Sequence, residues 1–339
     1  MYHYQPSIPQ ELTGHELAEK GKDFIEQKTL RALCHFLRFD LPFLKSIAEQ
    51  PRYRQFFIPK GGGEKRLIET PAKVLKKLQG RIAFYLQGVY HLHKPEASYG
   101  FILSTADGSE VRNIYSNANC HAGKKWVLNL DIKNFFPSIS LERVRRMFRQ
   151  PPFEFSKNAS LRIAQLVTFQ NRLPQGAPSS PVISNLVAIP LDHKLQELAR
   201  QKKWTYTRFV DDMTFSANNK FSDKEIELIK EAIRSEKFTV NEQKVRLTRE
   251  KDGPEITGLI LKEGKPDISN DFIKQIKEDI GLFHALTSTR MVERALFPTK
   301  AIWQFRQSIM GQINFVKMIR GEDHKSYLKL KARLNPRMR

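Results

Sequence analysis

Two adjacent aspartates, Asp211 and Asp212, stand between two strand-like runs at 206–210 and 213–215. At the tip of a hairpin, paired carboxylates repel each other and cost stability unless a cation screens them. The chain must either leave this tip as a polar turn in water or hold metal there. Taken alone, such a dipeptide more often serves as a turn. A second acidic position changes the balance. Residues 126–130 (WVLNL) form an apolar, β-rich run that ends on Asp131 and is followed by Phe135-Phe136. A carboxylate in so much apolar sequence sits at a strand end and needs a partner. Three carboxylates from two strands can chelate two Mg²⁺ ions about 4 Å apart, the arrangement of in-line phosphoryl transfer. Oxygen ligands suit Mg²⁺, and the scattered His and Cys provide no zinc set.

A third segment lies between the two acidic ones. LPQGAPSSP (173–181) is a loop of small residues ahead of a helix. Such a loop lets a ligand approach the backbone closely, but taken alone it reads first as a simple lead-in to the helix. The rest of the chain reads as mixed α and β. Residues 11–50 are helical, with a capping box at Thr13 and Glu16 and apolar residues at helical spacing through Leu30, Leu33, Cys34 and Leu37. Residues 56–58 and 66–68 predict a hairpin around Gly61-Gly62-Gly63, which is not a phosphate-binding P-loop because no Gly-Lys-Ser/Thr follows. Helices are expected over 71–90, most of 141–170, 184–203 and 223–236, a strand over 256–261, and helices again from about 268.

Charge narrows the partner. Lys and Arg number 57 against 36 Asp and Glu, a net of +21, which attracts polyanions such as nucleic acid or an anionic membrane. No apolar run approaches the roughly 20 residues a spanning helix needs. The N-terminal residues lack the charged-then-apolar layout of a signal peptide. Cys34 and Cys120 are far apart and read as reduced thiols, so a cytoplasmic setting without a membrane role is expected. Residues 301–339 hold nine Lys/Arg and two Asp/Glu, a local net of +7. There Arg306, Lys317, Arg320, Lys325 and Lys329 can meet nucleic-acid phosphates, while Trp303, Phe305, Phe315 and Tyr327 are expected in the core.

In order, spacing and content, LDIKNFF, LPQGAPSSP and FVDD resemble motifs A, B and C of reverse transcriptases, and the resemblance extends over roughly residues 50–330. It implies an α+β right-hand polymerase fold: an N-terminal helical region (1–50), fingers (51–115), a palm with an antiparallel sheet (116–265, part of 141–170 packing with the fingers) and a basic helical thumb (266–339). It also implies site residues. Asp131, Asp211 and Asp212 match the catalytic, metal-holding aspartates, and the Ile132 carbonyl a backbone ligand to one of two Mg²⁺ ions. Phe136 matches the aromatic that blocks a ribose 2′-OH, Gln175 the residue beside the incoming sugar, and Lys65 with Arg66 the fingers cations on the dNTP triphosphate. Lys244 resembles the basic residue that protonates the leaving pyrophosphate. Phe209 stands where the family usually has Tyr, which removes a hydroxyl without touching the metal site.

Two shorter pieces resemble the retron subgroup: Asn117-Ala118-Asn119-Cys120-His121 before motif A, and Ile256-Thr257-Gly258 after motif C. Each taken alone reads equally as a turn or strand; the resemblance implies that Asn117, His121, Ile256, Thr257 and Gly258 contact RNA. About 70 residues follow the palm, enough for a thumb and too few for a further nuclease or integrase domain. Retron membership implies a structured non-coding RNA as template and primer, with DNA synthesis starting from a 2′-OH of that RNA. It further implies an RNA-linked DNA product, a host RNase H that trims the template, a separate effector protein and a role in anti-phage defence. The alternatives are another defence-associated or group II intron-like reverse transcriptase with different priming, and a catalytically silent RNA-binding protein. The intact carboxylate triad argues against the silent reading.

Overall fold

The computed structural model describes residues 12–59, 63, 65–287 and 299–335. Thr13 and Glu16 form the expected capping box and start α1 (Gly14–Ile25). Helices α2 (Leu30–Leu37) and α3 (Leu41–Glu49) follow, capped by the side chains of Thr29 and Asp40. Strands β1 (Tyr53–Pro59) and β2 (Lys65–Pro71) pair antiparallel as the predicted hairpin; Gly61 and Gly62 of its tip lie outside the described residues. Next come α4 (Lys73–His93), α5 (Ile114–Asn119), β3 (Trp126–Asp131), α6 (Leu141–Arg149), α7 (Lys157–Val167) and α8 (Ser180–Lys202).

The acidic segments converge in the next elements. Strands β4 (Thr205–Phe209) and β5 (Asp212–Ala217) form a tight hairpin, followed by α9 (Asp223–Ser235) and β6 (Arg246–Arg249). They build an antiparallel sheet in the order β4-β5-β3-β6. Its register sets Asp131 opposite Asp212 and Leu128 opposite Phe215. Leu128, Leu130, Met213 and Phe215 are buried in a core shared with α4, α6, α7 and α8, so apolar packing fixes the register that aligns the acidic strand ends.

Strands β7 (Glu255–Ile256), β8 (Leu259–Lys262) and β9 (Lys265–Asp267) form a second small sheet. Ile256, Leu259 and Leu261 pack with α10 (Asn270–Thr287), α11 (Thr299–Arg320) and α12 (Lys325–Leu334) in a separate core. The packing thus groups 255–267 with the C-terminal helices; the division into fingers, palm and thumb remains our proposal. The stretch 141–170 is mainly helical as expected, in two pieces: Pro151-Pro152 breaks it into α6 and α7, with Phe153 and Phe155 turned into the core. One local expectation differs. The strand expected over 256–261 is a hairpin, bent at Thr257 (φ +50°) and Gly258 (φ +84°). No helix among the described residues is long and apolar enough to cross a membrane.

Candidate active site

The β4–β5 hairpin and the end of β3 bring the three aspartates together. Asp131 is buried, and its Oδ1 accepts from Asn241 Nδ2 at 3.1 Å. The Lys244 ammonium, on the turn before β6, donates to Asp131 Oδ2. The Ile132 amide donates to the Asp211 carbonyl at 3.0 Å, which ties the motif A strand end to the hairpin tip. Between Phe209 and Asp211, Val210 adopts φ +63°. A left-handed β-branched residue costs roughly 1–2 kcal/mol, so the surroundings must hold the turn.

The electrostatics are those of a cation site. Burial and then the charge of Asp131 push the Asp211 carboxyl above the usual range. Asp212 is pushed up to about 7 by restricted hydration and then by the Asp211 and Asp131 charges. Asp212 keeps an exposed surface, so water screens part of that repulsion. Among the described residues no three His, Cys, Asp or Glu side chains close to metal-binding distance. Asp131 is instead engaged by Lys244 and Asn241, as expected for mutually repelling carboxylates that take whatever cation is at hand. The donor set of hard carboxylate oxygens fits divalent cations of the Mg²⁺ class.

The residues expected around a nucleotide lie on β2, on the turn after β3 and on the loop before α8. Phe136 is half-buried, with its ring 6.3 Å from Phe101 and 5.8 Å from Phe135. Lys65 and Arg66 are exposed on β2, and the Arg66 charge reaches Asp211, easing its raised carboxyl. The Gln175 carbonyl accepts from the Glu69 amide at 2.8 Å. Gly176 follows at φ +122°, and a Cβ there would sit 2.8 Å from Ile68 Cγ2. The loop therefore lies against the β1–β2 hairpin because residue 176 has no side chain.

Sequence reasoning missed the clamp on this junction. Arg172 forks onto buried Glu69 with bonds of 2.6 and 3.0 Å, and Gln55 adds a third at 2.9 Å. A charged residue at an inward position of a strand was the available signal. Arg172→Ala strands the Glu69 charge in the interior, a change that costs about 3–5 kcal/mol. We expect a lower Tm, with KM for dNTP rising more than kcat falls. Steady-state kinetics beside thermal unfolding check both, and an unchanged KM would separate the clamp from the nucleotide pocket.

The expected RNA contacts divide. Asn117, His121 and Ile256 are corrected from RNA contacts to interior residues, because each is almost wholly buried. His121 Nδ1 lies 2.7 Å from Ser216 Oγ and Nε2 2.7 Å from Thr207 Oγ1, so the ring staples the β4–β5 hairpin; burial pushes its pKa down to about 3, leaving it neutral. Asn117 Nδ2 reaches Thr257 Oγ1 at 3.4 Å, which joins the two retron-like elements to each other. Thr257 and Gly258 keep surface. Arg320 is also corrected: its guanidinium brackets Asp267 at 2.6 and 2.9 Å and binds the Ile268 carbonyl, so it fastens α11 to the small sheet. Lys317 pairs with Glu322 at 2.9 Å and Arg306 bonds Asn335 at 2.9 Å, whereas Lys325 and Lys329 are exposed. Phe305, Phe315 and Tyr327 pack in the C-terminal core as expected, but Trp303 is 60% exposed.

Known proteins match this arrangement. The family model for reverse transcriptase (RNA-dependent DNA polymerase) matches residues 58–261. The Retron Ec86 reverse transcriptase of Escherichia coli is 32% identical over 233 residues, covering 68% of this chain and 69% of that protein. The Retron Mx65 enzyme of Myxococcus xanthus is 33% identical over 228 residues, 62% of this chain and 51% of that one. The Retron Ec48 enzyme of Escherichia coli is 27% identical over 320 residues, 91% and 76%. The chain belongs to the reverse transcriptases, RNA-directed DNA polymerases with a right-hand fold, and within them to the retron type. A divalent metal and an RNA template go with that family.

Proposed function

We propose that this protein copies a structured non-coding RNA into DNA, starting from a 2′-OH of an internal guanosine in that RNA. The product is multicopy single-stranded DNA joined to RNA, trimmed by a host RNase H. The system, with a separate effector protein, acts in anti-phage defence in the bacterial cytoplasm. The observation that carries the polymerase reading is the register that sets Asp131 opposite Asp212 at the aligned ends of β3 and β5, with Asp211 beside them.

On this reading Asp131, Asp211, Asp212 and the Ile132 carbonyl hold two Mg²⁺ ions, which when bound would stabilise charge on the phosphates and lower the pKa of the attacking hydroxyl. The chain's own groups do the rest. Lys65 and Arg66 receive the triphosphate from the fingers side. Phe136 closes the space where a ribose 2′-OH would lie, and Gln175 lines the sugar. Burial pulls the Lys244 pKa down, but the bond to Asp131 and the three aspartate charges outweigh it and raise it. Lys244 is therefore protonated, the state that a general acid toward a leaving pyrophosphate requires.

Recognition of the RNA falls to the surface of the C-terminal helices and the Thr257–Gly258 turn. Phosphate contacts supply affinity without sequence information, so selection comes from RNA shape and splayed loop bases. Lys325→Ala with Lys329→Ala should weaken RNA binding several-fold and flatten its salt dependence by roughly 1–2 units of log–log slope, since two fewer counterions are released. Binding across a salt series measures this; an unchanged slope would place recognition elsewhere. The priming scheme is tested by sequencing nucleic acid that copurifies with the protein. DNA joined to the 2′ position of one RNA guanosine is expected, and DNA with a free, unbranched 5′ end would overturn it.

A further inference from the structure

Directly behind the aspartate hairpin lies an ion pair that touches no expected substrate position. Arg208 and Asp192 are both fully buried, joined by Nε to Oδ1 at 2.8 Å and Nη2 to Oδ2 at 2.7 Å. The Tyr206 hydroxyl donates to the same Asp192 Oδ1 at 2.9 Å. A buried pair of this kind is weak evidence for stability, since apolar residues of equal volume often serve as well. The remaining donor points to its use. Arg208 Nη1 donates to the Val210 carbonyl at 2.9 Å and to Asn185 Oδ1 at 3.1 Å.

Val210 is the left-handed residue of the catalytic turn, and a β-branched side chain favours leaving that region. Its amide side is braced as well. A Cβ on Gly100 would lie 2.7 Å from the Val210 nitrogen, and Asn185 Nδ2 holds the Gly100 carbonyl at 2.8 Å. One asparagine thus links the guanidinium to the backbone that presses on the turn. On the far side the Asp211 carbonyl is taken by the Ile132 amide.

We propose that Arg208, aimed by Asp192, is a positioning residue that pins the strained Val210 carbonyl and so presents Asp211 and Asp212 together. The proposal rests on reading those aspartates as the polymerase site. Arg208→Lys keeps the charge but loses the planar fork. It should speed hydrogen exchange of the backbone at 209–212 in metal-free protein and lower kcat about 100-fold, the cost of a small misplacement of reacting groups. KM for primer–template should stay near the parent value.

Val210→Gly makes the left-handed turn free of side-chain strain. In the Arg208→Lys background it should slow exchange at the turn again and restore kcat about tenfold, while the loss in Tm persists. A purely structural role would give independent losses with no restoration, and that result overturns the proposal, as would an Arg208→Lys protein with parental exchange and kcat. If Arg208→Lys does not fold, Asp192→Asn loosens the same fork and supports the same comparison. An inactive parent enzyme would count against the polymerase reading, whereas the exchange comparison would still decide the role of Arg208.

Discussion

Asp211→Asn abolishes DNA synthesis and leaves the protein at least as stable as its parent. The substitution preserves shape but removes one of the charges that the site gathers. Loss of about 10³-fold or more in kcat is expected, which corresponds to about 4 kcal/mol of transition-state stabilisation. Asp131→Asn should act alike on catalysis. The stability side follows from the raised carboxyls. A group whose folded pKa exceeds its unfolded one destabilises the fold once it ionises, so stability falls as pH rises between the two values. For Asp212 that window runs from the ordinary 3.8 to about 7. In metal-free buffer Asp212→Asn should match the parent in Tm near pH 4 and exceed it above about 7. Thermal unfolding across that pH range gives the check. A variant less stable than its parent at high pH would mean the aspartates are held by structural bonds instead of left waiting for cations. RNA binding should persist in these variants, because the exposed cations of the C-terminal helices are untouched.

Phe136→Ala should let ribonucleotides in. The ring lies five residues beyond Asp131, half-buried and packed on Phe101 and Phe135. Removing it opens room for a 2′-OH, and the ratio of rNTP to dNTP incorporation should rise by about 10- to 100-fold, the range a steric pocket of this size can deliver. Extension with dNTP should fall much less than it does in Asp211→Asn. An unchanged ratio in folded protein would make Phe136 a core residue that merely supports Phe135.

The two predictions draw on residues that local pattern alone could mark. The carboxylate pair interrupts a run of β-rich sequence, Asp131 ends another, and helical spacing with a capping box announces α1. Such signals are local, so the chain carries them openly. What the sequence hid depends on contacts between distant segments. His121 reads as a surface turn until the fold shows Thr207 and Ser216 closing on both ring nitrogens. Arg320 reads as one more cation on a basic helix, yet Asp267, far from it in sequence, claims it. Arg208 sits in a strand where alternation says only that it points inward, and its partners Asp192 and Asn185 lie on α8, one among many polar positions of a helix with little amphipathic contrast. The break of 256–261 into two strands turns on a left-handed Thr257, a conformation no threonine advertises. In each case the missing information is which buried polar group satisfies which, and burial is decided by the whole fold.

The most direct test is extension of a DNA primer on an RNA template by the purified protein in Mg²⁺, beside Asp211→Asn and beside the same reaction in chelator. The account predicts template-directed dNTP incorporation by the parent protein and none in the other two. Full-length extension by folded Asp211→Asn, or incorporation that persists in chelator, would contradict it.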